Sequence, residues 1–333
     1  MDKKKRIAII GDGGWGTTLA LILSRKGYSV TVWGAFSDYV EIVKHGRENI
    51  KFLPGIKLPQ EIVLTASIEE ALSGRDLVVL AVPSQFLRST LTRLKMHDVS
   101  GKSFVSAAKG IENGTLKRMT EVVGDVLGKT PLSVLTGPTI ALEVANGVPT
   151  TAVVSSYDES FSRQVQEIFA TDRFRIYTSS DTIGVEMGGA LKNVVAIAAG
   201  VCDGLGFGTN TKAALLTRGL AEIARLGCAM GAKRETFYGL SGLGDLTTTC
   251  ISPYSRNRWL GEEIGRGKKL KEILKETDMI VEGVATAKAA RDLSAKFRVE
   301  MPITTEIYKV LYDGKEPKAA VNDLMTRALK DEA

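Results

Sequence analysis

The chain has few of the residues that build disulfide frameworks or histidine-based active sites. Only three cysteines, Cys202, Cys228 and Cys250, occur among 333 residues. They are too few and too scattered for a disulfide framework or a cysteine metal cluster, and they suit a reducing, cytoplasmic environment. The two histidines, His45 and His97, lie in polar segments of the first half. Proton transfer in the second half would therefore depend on lysine or a carboxylate.

The chain also lacks a dense basic run with interleaved aromatic residues, although its formal net charge is +6. Such a run is typical of nucleic-acid binding, so the net charge better suits a phosphorylated small molecule as partner, or simply a solvated basic surface. The apolar stretch after the basic residues 3–6 ends within five residues, which does not match a secretion signal. Residues 183–202 are long and apolar enough to be considered as a membrane span. They contain Glu186, Lys192 and Asn193, so we expect a buried helix and no membrane span.

A Gly-x-Gly-x-x-Gly turn directly follows the first apolar run. In such a turn, Gly11 allows the tight bend from strand to helix and Gly13 lets the backbone approach a pyrophosphate. Gly16 lets the following helix pack against the strand. That helix, expected at residues 17–25, would direct its N-terminal amides at the pyrophosphate. A glycine-rich turn that binds nothing is the alternative, but the strand before it and the helix after it favour dinucleotide binding.

The two halves of the chain have different patterns. Short apolar segments alternate with helix-like segments in the first half, which is typical of a parallel, doubly wound sheet. From about Thr182 the patterns are long and helical. We therefore expect an α/β protein, with an N-terminal Rossmann-like dinucleotide-binding domain at residues 1–182 and an all-α substrate-binding domain at residues 183–333. The strands are expected at residues 7–10, 30–33, 77–81, 104–107, 133–135, 152–155 and 175–177.

Two lysines are candidates for chemistry. Lys192 lies among apolar neighbours, and desolvation would lower its pKa towards the range that suits a general acid or base. The alternative is a lysine that extends to water from the edge of a helix. Asn193 beside it could orient a substrate hydroxyl. Lys109 follows a predicted strand and would point into the crevice at the carboxyl end of the sheet, unless it is an ordinary surface lysine. Residues 82–84 and 135–139 also follow strands, and could line the same crevice or simply form turns.

The second half contains a candidate phosphate site. A glycine-rich loop at residues 240–246 presents Asp245, and Ser255, Arg256 and Asn257 open a helix shortly after Pro253. A hydroxyl, a guanidinium and an amide at the N-terminus of a helix can bind phosphate. The alternative is an N-cap followed by solvent-facing arginines.

Together these segments resemble the NAD(P)-dependent glycerol-3-phosphate dehydrogenases of the bacterial type. The resemblance covers nearly the whole chain, and the motifs occur in the family's order. They are Gly-Asp-Gly-Gly-Trp-Gly-Thr at 11–17, Asn at 49 with Phe-Leu-Pro-Gly at 52–55, Ala-Ala-Lys-Gly-Ile-Glu at 107–112, Thr-Gly-Pro-Thr-Ile-Ala-Leu-Glu-Val at 136–144, Gly-Ala-Leu-Lys-Asn-Val at 189–194, Gly-Leu-Gly-Phe-Gly-Thr-Asn at 204–210, Gly-Leu-Gly-Asp-Leu at 242–246, Ser-Arg-Asn at 255–257 and Val-Glu-Gly at 281–283.

The resemblance implies a reversible hydride transfer between NAD(P)H and dihydroxyacetone phosphate, which gives sn-glycerol 3-phosphate for phospholipid synthesis. It also implies a homodimer, and it matches Lys192 to the family's catalytic acid/base. The positions that it matches to substrate binding are Lys109, Gly137, Thr139, Asp245, Ser255, Arg256 and Asn257. The positions that it matches to cofactor binding are Gly14, Trp15, Lys109, Ala141, Arg256, Ile280 and Glu282. The three glycines of the turn are cofactor candidates from the motif itself.

One departure from the pattern leaves NAD or NADP open as the cofactor. A ribose-binding acid is normally expected about twenty residues beyond the glycine turn, and none occurs here before Asp38. Many family members have a basic residue at the position of Ala35, where it can meet a 2′-phosphate. This chain has neither, although Lys44 or Arg47 could substitute for the missing base.

Two other functions are alternatives to the one that the resemblance implies. A two-domain, lysine-dependent hydroxyacid dehydrogenase or ketoacid reductase would have a similar build, but its substrates need carboxylate recognition rather than a phosphate site. A non-catalytic protein that senses dinucleotides would be expected to lose Lys192, Asp245 or Arg256, and all three are present.

Overall fold

The structure, a computed structural model, describes residues 5–329, 331 and 332. Residues 1–4, 330 and 333, at the ends of the two predicted domains, lie outside the described residues. The first half contains all the strands of the described chain, which are β1 (Arg6–Ile10), β2 (Ser29–Trp33), β3 (Val63–Thr65), β4 (Leu77–Leu80), β5 (Ser103–Ser106), β6 (Leu132–Thr136), β7 (Thr150–Ser155) and β8 (Phe174–Ser179).

Helices connect these strands and make up most of the second half. Those of the first half are α1 (Gly14–Arg25), α2 (Ser37–Gly46), α3 (Ile68–Leu72), α4 (Leu87–Lys95), α5 (Met119–Leu127), α6 (Ala141–Ala145) and α7 (Glu159–Phe169). Those of the second half are α8 (Thr182–Gly204), α9 (Thr209–Ala229), α10 (Asp245–Ile251), α11 (Arg256–Gly265), α12 (Leu270–Ile273), α13 (Glu282–Phe297), α14 (Pro302–Tyr312) and α15 (Pro317–Met325).

The strands form one sheet in the order β3-β2-β1-β4-β5-β6-β7-β8. The predicted α/β architecture and its seven strand positions are confirmed, but the sheet is not wholly parallel because β7 pairs with β6 in the antiparallel direction. The connection between them contains only the five-residue helix α6. It is too short to return the chain to the end of the sheet at which the parallel strands begin, so β7 runs in the opposite direction. Strand β3 was not predicted, since three residues at the sheet edge are too few to show an alternating pattern.

The sheet is buried on both faces because its central strands are apolar throughout. In β1, Ile7 and Ile9 pack into one core with residues of α1 and α7. Ala8 and Ile10 pack into the other core with residues of α4 and α5. This two-sided burial is typical of sheets whose connections cross as helices on both faces. It places the ends of the strands, rather than their faces, within reach of a ligand.

Helix α8 is the central helix of the second half. It is long and apolar enough to cross a membrane by length and composition, but its most apolar window is wholly buried inside the protein. Asp181 caps its N-terminus by accepting a hydrogen bond from the backbone N–H of Gly184 at 2.9 Å. Helices α9, α10, α11 and α13 surround α8, so its whole circumference faces protein.

Helix α11 lies unusually close to α8. A methyl group at Gly200 would collide with the carbonyl oxygen of Arg258, and one at Gly261 would collide with that of Ile197. Glycine at these positions therefore lets the two backbones touch. As a result, the N-terminus of α11 lies beside the middle of α8, where Lys192 and its neighbours are found.

A buried ion pair joins the two halves. Arg118, at the start of α5, forms an ion pair with Glu186 of α8, and both side chains are buried. Glu186 also accepts hydrogen bonds from the N–H and the hydroxyl of Thr120, at 2.8 and 2.6 Å. Since these groups satisfy the buried carboxylate, they hold the start of α8 against the sheet domain.

Candidate active site

The site is centred on Lys192, halfway along α8. Its ammonium donates hydrogen bonds to the carboxylate of Asp245 and, at 2.8 Å, to the hydroxyl of Thr249. Asp245 is the first residue of α10, after a π-helical turn at Leu240–Gly244, and Thr249 follows one turn later on the same face. The Lys192 side chain is only 7% exposed, so the alternative of a lysine that extends to water is wrong.

The first half of the chain contributes a second lysine to the same carboxylate. Lys109 Nζ lies 2.8 Å from Asp245 Oδ2, and it also donates to the carbonyl oxygen of Gly137 at 2.9 Å and to the hydroxyl of Thr139 at 3.3 Å. Lys109 lies three residues beyond β5, and Gly137 directly follows β6. The carboxyl edge of the sheet therefore meets the helical half at Asp245.

The charges in this cluster do not balance. Two ammonium groups share one carboxylate, so the site carries an excess positive charge that favours an anionic substrate. Burial lowers the pKa of Lys192 to about 8; Asp245 opposes that shift, whereas Lys109 adds to it. Lys192 can therefore hold or release a proton close to neutral pH, which is the property that a general acid/base needs.

The start of α11 lies next to this cluster. Ser255 is its N-cap and accepts a hydrogen bond from the N–H of Arg258, which confirms the predicted helix start. Asn257 donates to the Oδ1 atom of Asn193 at 2.9 Å and accepts from the N–H of Gly283 at 2.8 Å. Asn193 follows Lys192 in α8, so these bonds fix the distance between the lysine and the helix start.

Arg256, the first residue of α11, presents a guanidinium at this helix start. Its side chain is exposed, and within the described part of the chain it forms no hydrogen bond or ion pair. Desolvation by the surrounding protein lowers the pKa of Arg256, and the negative charge of the nearby Glu282 opposes that shift. An unpartnered guanidinium beside the first amides of a helix can bind the two negative charges of a phosphate.

The glycine turn lies at the end of β1 and fits a dinucleotide. Gly11 has a φ of +121°, which favours glycine, and a methyl group there would lie 2.7 Å from the carbonyl oxygen of Ala81 at the end of β4. The strand order reverses between β1 and β4, and nucleotides bind at such a reversal in open α/β sheets.

The start of α1 has the features of an anion site. The helix begins at Gly14, three residues earlier than predicted, and Gly13 is an N-cap without a capping side chain. The first amides of α1 therefore have no side-chain acceptor. The indole N–H of Trp15 is also buried without a hydrogen-bond partner among the described residues. Ala141 packs 3.7 Å from the position of a methyl group at Gly14.

Glu282 and Ile280 extend the site along the sheet edge. Glu282 accepts hydrogen bonds from the N–H and the hydroxyl of Ser84, at 3.0 and 2.5 Å. Burial raises the pKa of this carboxyl, while the bonds from Ser84 oppose the shift. Since Ser84 follows β4, these bonds place the start of α13 beside the point where the strand order reverses, between β1 and β4. Ile280, two residues earlier, is 40% exposed.

The structure separates some sequence-based candidates from the site. Arg47 donates to the backbone carbonyl oxygens of Leu58, Pro59 and Ile62, so its guanidinium is already satisfied and does not replace a 2′-phosphate-binding base. Lys44 pairs with Glu41 at 3.2 Å on the surface of α2. Thr249 was missed by sequence reasoning. Its only signal is a spacing of four residues from Asp245, which becomes meaningful once α10 is known to begin at Asp245.

Two family models match the chain in the same order as its motifs. The model for the N-terminus of NAD-dependent glycerol-3-phosphate dehydrogenase matches residues 6–162, and the model for its C-terminus matches residues 181–322. A relative named glycerol-3-phosphate dehydrogenase (NAD(P)+) from Syntrophotalea carbinolica is 48% identical over 98% of this chain and 99% of its own length. One of the same name from Geobacter sulfurreducens is 49% identical with the same coverage.

Solved structures give the same result. The crystal structure of glycerol-3-phosphate dehydrogenase from Coxiella burnetii has a TM-score of 0.94 at 38% identity, and the match covers 97% of this chain and 99% of that one. The enzyme from Saccharomyces cerevisiae has a TM-score of 0.81 at 28% identity, over 98% and 100% of the two chains. A ketopantoate reductase from Ralstonia eutropha is similar at a TM-score of 0.61 and 14% identity, over 95% and 99% of the two chains, which indicates a shared fold only.

Proposed function

The chain belongs to the NAD(P)-dependent glycerol-3-phosphate dehydrogenase family, and we propose that Lys192 is the acid/base of its reaction. The reaction is the reversible reduction of dihydroxyacetone phosphate to sn-glycerol 3-phosphate with NAD(P)H. The observation that carries the assignment is the buried ammonium of Lys192, held by Asp245 and Thr249 beside a second lysine. We further propose that the product supplies phospholipid synthesis.

When bound, NAD(P)H supplies the hydride for carbon 2 of dihydroxyacetone phosphate. In that direction Lys192 holds a proton and donates it to the oxygen on carbon 2 as negative charge develops there. Asp245 and Thr249 position the ammonium, and Lys109 adds a second positive charge. In the oxidative direction the neutral amine of Lys192 accepts the hydroxyl proton, and its lowered pKa makes that form accessible near neutral pH.

The substrate's phosphate is assigned to the start of α11. Arg256 supplies the guanidinium there and Ser255 orders the helix start, while Asn257 and Asn193 link it to α8. Binding energy from the phosphate would hold carbon 2 beside Lys192. Gly137 and Thr139, which accept hydrogen bonds from Lys109, complete the proposed substrate positions.

The cofactor is assigned to the glycine turn and its surroundings. Gly11, Gly13 and Gly16 would form the pyrophosphate cradle, with the amides of α1 directed at the anion. The other proposed cofactor contacts are Gly14, Trp15, Lys109, Ala141, Arg256, Ile280 and Glu282.

The wider setting follows from the family. We propose a homodimer in the cytoplasm, in which residues 1–182 form the dinucleotide-binding domain and residues 183–333 the substrate domain. The three cysteines, which form no disulfide in the described structure, are consistent with a reducing compartment.

A direct assay tests this function. Oxidation of NADH and of NADPH is followed with dihydroxyacetone phosphate as acceptor, and with ketopantoate as the alternative substrate. We expect turnover with the first acceptor only. Activity with ketopantoate alone would instead favour a ketoacid reductase.

The role of Lys192 is tested by Lys192→Ala. We expect kcat to fall by about 10²–10⁴-fold, as is typical when a positioned acid/base is removed. Lys288→Ala, which removes an exposed lysine of α13, serves as the matched control and should retain normal turnover. Near-normal turnover of Lys192→Ala would contradict the assignment.

A further inference from the structure

Asp12, between the first two glycines of the turn, has an unexplained carboxyl group. Its Oδ2 atom is buried and has no hydrogen-bond partner within the described structure. Asp12 forms no ion pair among the described residues either. Buried carboxylate oxygens are normally paired, so Asp12 lacks the partner that is usual for such a group. Burial raises the pKa of this carboxyl, which is consistent with the missing partner.

The carboxyl of Asp12 points at the end of the neighbouring strand. Gly34 is the first residue after β2, and a methyl group there would collide with Asp12 Oδ2 and lie 2.7 Å from its Cγ. The Asp12 carboxyl and the side chain of Val40 therefore fill the space that a side chain at position 34 would otherwise occupy. The backbone of the turn is fixed in this position, since Gly11 donates to the carbonyl of Trp33 at 2.9 Å and Asn49 donates to the carbonyl of Asp12 at 2.7 Å.

The end of β2 is where enzymes of this architecture select their cofactor. An acid that follows this strand binds the 2′-hydroxyl of the adenosine ribose in NAD, and a nearby arginine accommodates the 2′-phosphate of NADP. Here the strand is followed by Gly34 and Ala35. Arg47 is satisfied by three backbone carbonyls, and Lys44 is paired with Glu41. The carboxyl of Asp12, by contrast, lies directly against Gly34, the first residue after the strand.

We propose that Asp12 replaces the missing acid at the end of β2 and makes the enzyme selective for NAD(H) over NADP(H). Its carboxylate accepts a hydrogen bond from the ribose 2′-hydroxyl of NAD. The 2′-phosphate of NADP would instead meet an unneutralised negative charge, and like charges at close range are unfavourable. This inference rests on the proposed cofactor site at the glycine turn.

Binding of the two nucleotides tests the proposal directly. Dissociation constants for NADH and for NADPH are measured from nicotinamide fluorescence, without substrate, for the wild type, Asp12→Asn and Asp12→Ala. Asn keeps the size of the side chain and removes its charge, whereas Ala removes the whole carboxyl group. Asp38→Asn is the matched control, since it removes an exposed charge from the first turn of α2, four residues beyond Gly34.

We expect the wild type to bind NADH more tightly than NADPH by about tenfold or more, the effect of one charged hydrogen bond. Asp12→Asn and Asp12→Ala should each reduce that ratio by about tenfold, and Asp38→Asn should leave it unchanged. The proposal is overturned by a wild type that binds NADPH equally well. It is also overturned by Asp12 variants that keep the ratio, or that weaken both nucleotides equally, because the last result would indicate a structural role.

The outcome is independent of the proposed function. Selective binding of NADH without turnover of dihydroxyacetone phosphate would support the role of Asp12 and contradict the proposed reaction. Turnover with an unchanged nucleotide ratio in the Asp12 variants would do the opposite.

Discussion

The carboxylate of Asp245 serves two lysines at once, and this arrangement sets the chemistry of each side chain. Lys192 and Lys109 both donate to it, but Lys192 is buried whereas Lys109 is partly exposed. Burial and the charge of Lys109 both disfavour the ammonium form of Lys192, and Asp245 opposes them. The site therefore contains one proton that is easily released, on Lys192, beside a second lysine on the same carboxylate.

The rates in the two directions should depend on pH in opposite ways. Because the pKa of Lys192 is about 8, kcat/KM for glycerol 3-phosphate oxidation should rise as pH increases through 8, as the amine loses its proton. For reduction of dihydroxyacetone phosphate, kcat/KM should fall over the same range, since the proton donor is lost. Both are measured from pH 6.5 to about 10. A flat profile in both directions would contradict the role of Lys192.

Asp245→Asn should move that midpoint to lower pH. The carboxylate stabilises the charged form of Lys192, so its removal lowers the pKa further, by about one unit or more for a direct ion pair. The measurement is the midpoint of the pH profile rather than the rate, since loss of a substrate contact would reduce the rate in any case. Asp292→Asn, which alters a carboxylate on α13 that pairs with Arg291, should keep the wild-type midpoint.

Individual site residues were predictable from the sequence to different degrees. Lys192 could be identified because a lysine among apolar residues is unusual in any folded structure. The partnership with Thr249 could not, because it depends on where α10 begins. The direction of the Asp12 side chain depends on how closely the glycine turn approaches β2. That distance cannot be predicted from the spacing of residues in the sequence.

The contact between α8 and α11 is the packing feature on which the site most depends. Gly200 and Gly261 allow the two backbones to touch. The Asn193–Asn257 hydrogen bond, at 2.9 Å, joins the same two helices. The separation between Lys192 and the proposed phosphate site is therefore set by small residues outside the site.

Gly261→Ala should be destabilising and should also impair substrate binding. Its methyl group would collide with the carbonyl oxygen of Ile197, and overpacking of this kind costs about 1–3 kcal/mol. The free energy of unfolding and KM for dihydroxyacetone phosphate are measured together. The matched control is Gly124→Ala in α5, where a methyl group meets nothing within 4 Å.

The control is expected to change stability in the opposite direction. Alanine at an open helical position stabilises by about 0.5–1 kcal/mol relative to glycine. Equal effects of the two substitutions would mean that the contact between α8 and α11 is looser than the structure shows.

Most strands could be predicted because their apolar runs are strongly patterned, whereas their pairing could not. The alternation of strands and helices indicates a doubly wound sheet, and the long helical patterns after residue 182 indicate the second half. The antiparallel direction of β7 depends on the path of the loop around α6, which has no apolar period to reveal it. The three-residue strand β3 pairs with β2 at the edge of the sheet and is too short to show a pattern of its own.

Considered as a whole, the molecule keeps an ionisable group where folding disfavours it. Lys192 lies in the middle of the most buried helix of the described chain, in contact with a single carboxylate. A hydrophobic residue of similar length would avoid the desolvation of its charge. The lysine is therefore retained at the expense of stability, as is common for catalytic groups.

This expense should be visible in the pH dependence of unfolding. The folded-state pKa of Lys192, about 8, is lower than the ordinary value of 10.5. Between these two values the unfolded chain binds a proton that the folded chain does not, so stability rises with pH. The contribution of this one group should increase by about 1.4 kcal/mol per pH unit, and by about 3 kcal/mol over the whole window.

Comparison with Lys192→Met removes that titration, while ionisable groups that do not interact with Lys192 titrate equally in both proteins. Urea unfolding at intervals from pH 7 to about 10 should show the wild type gaining stability relative to Lys192→Met as pH rises. Lys288→Met, at the exposed position on α13, controls for the loss of a lysine and should follow the wild type throughout. Parallel curves for the wild type and Lys192→Met would mean that Lys192 keeps its ordinary pKa in the folded protein, and the acid/base assignment would lose its physical basis.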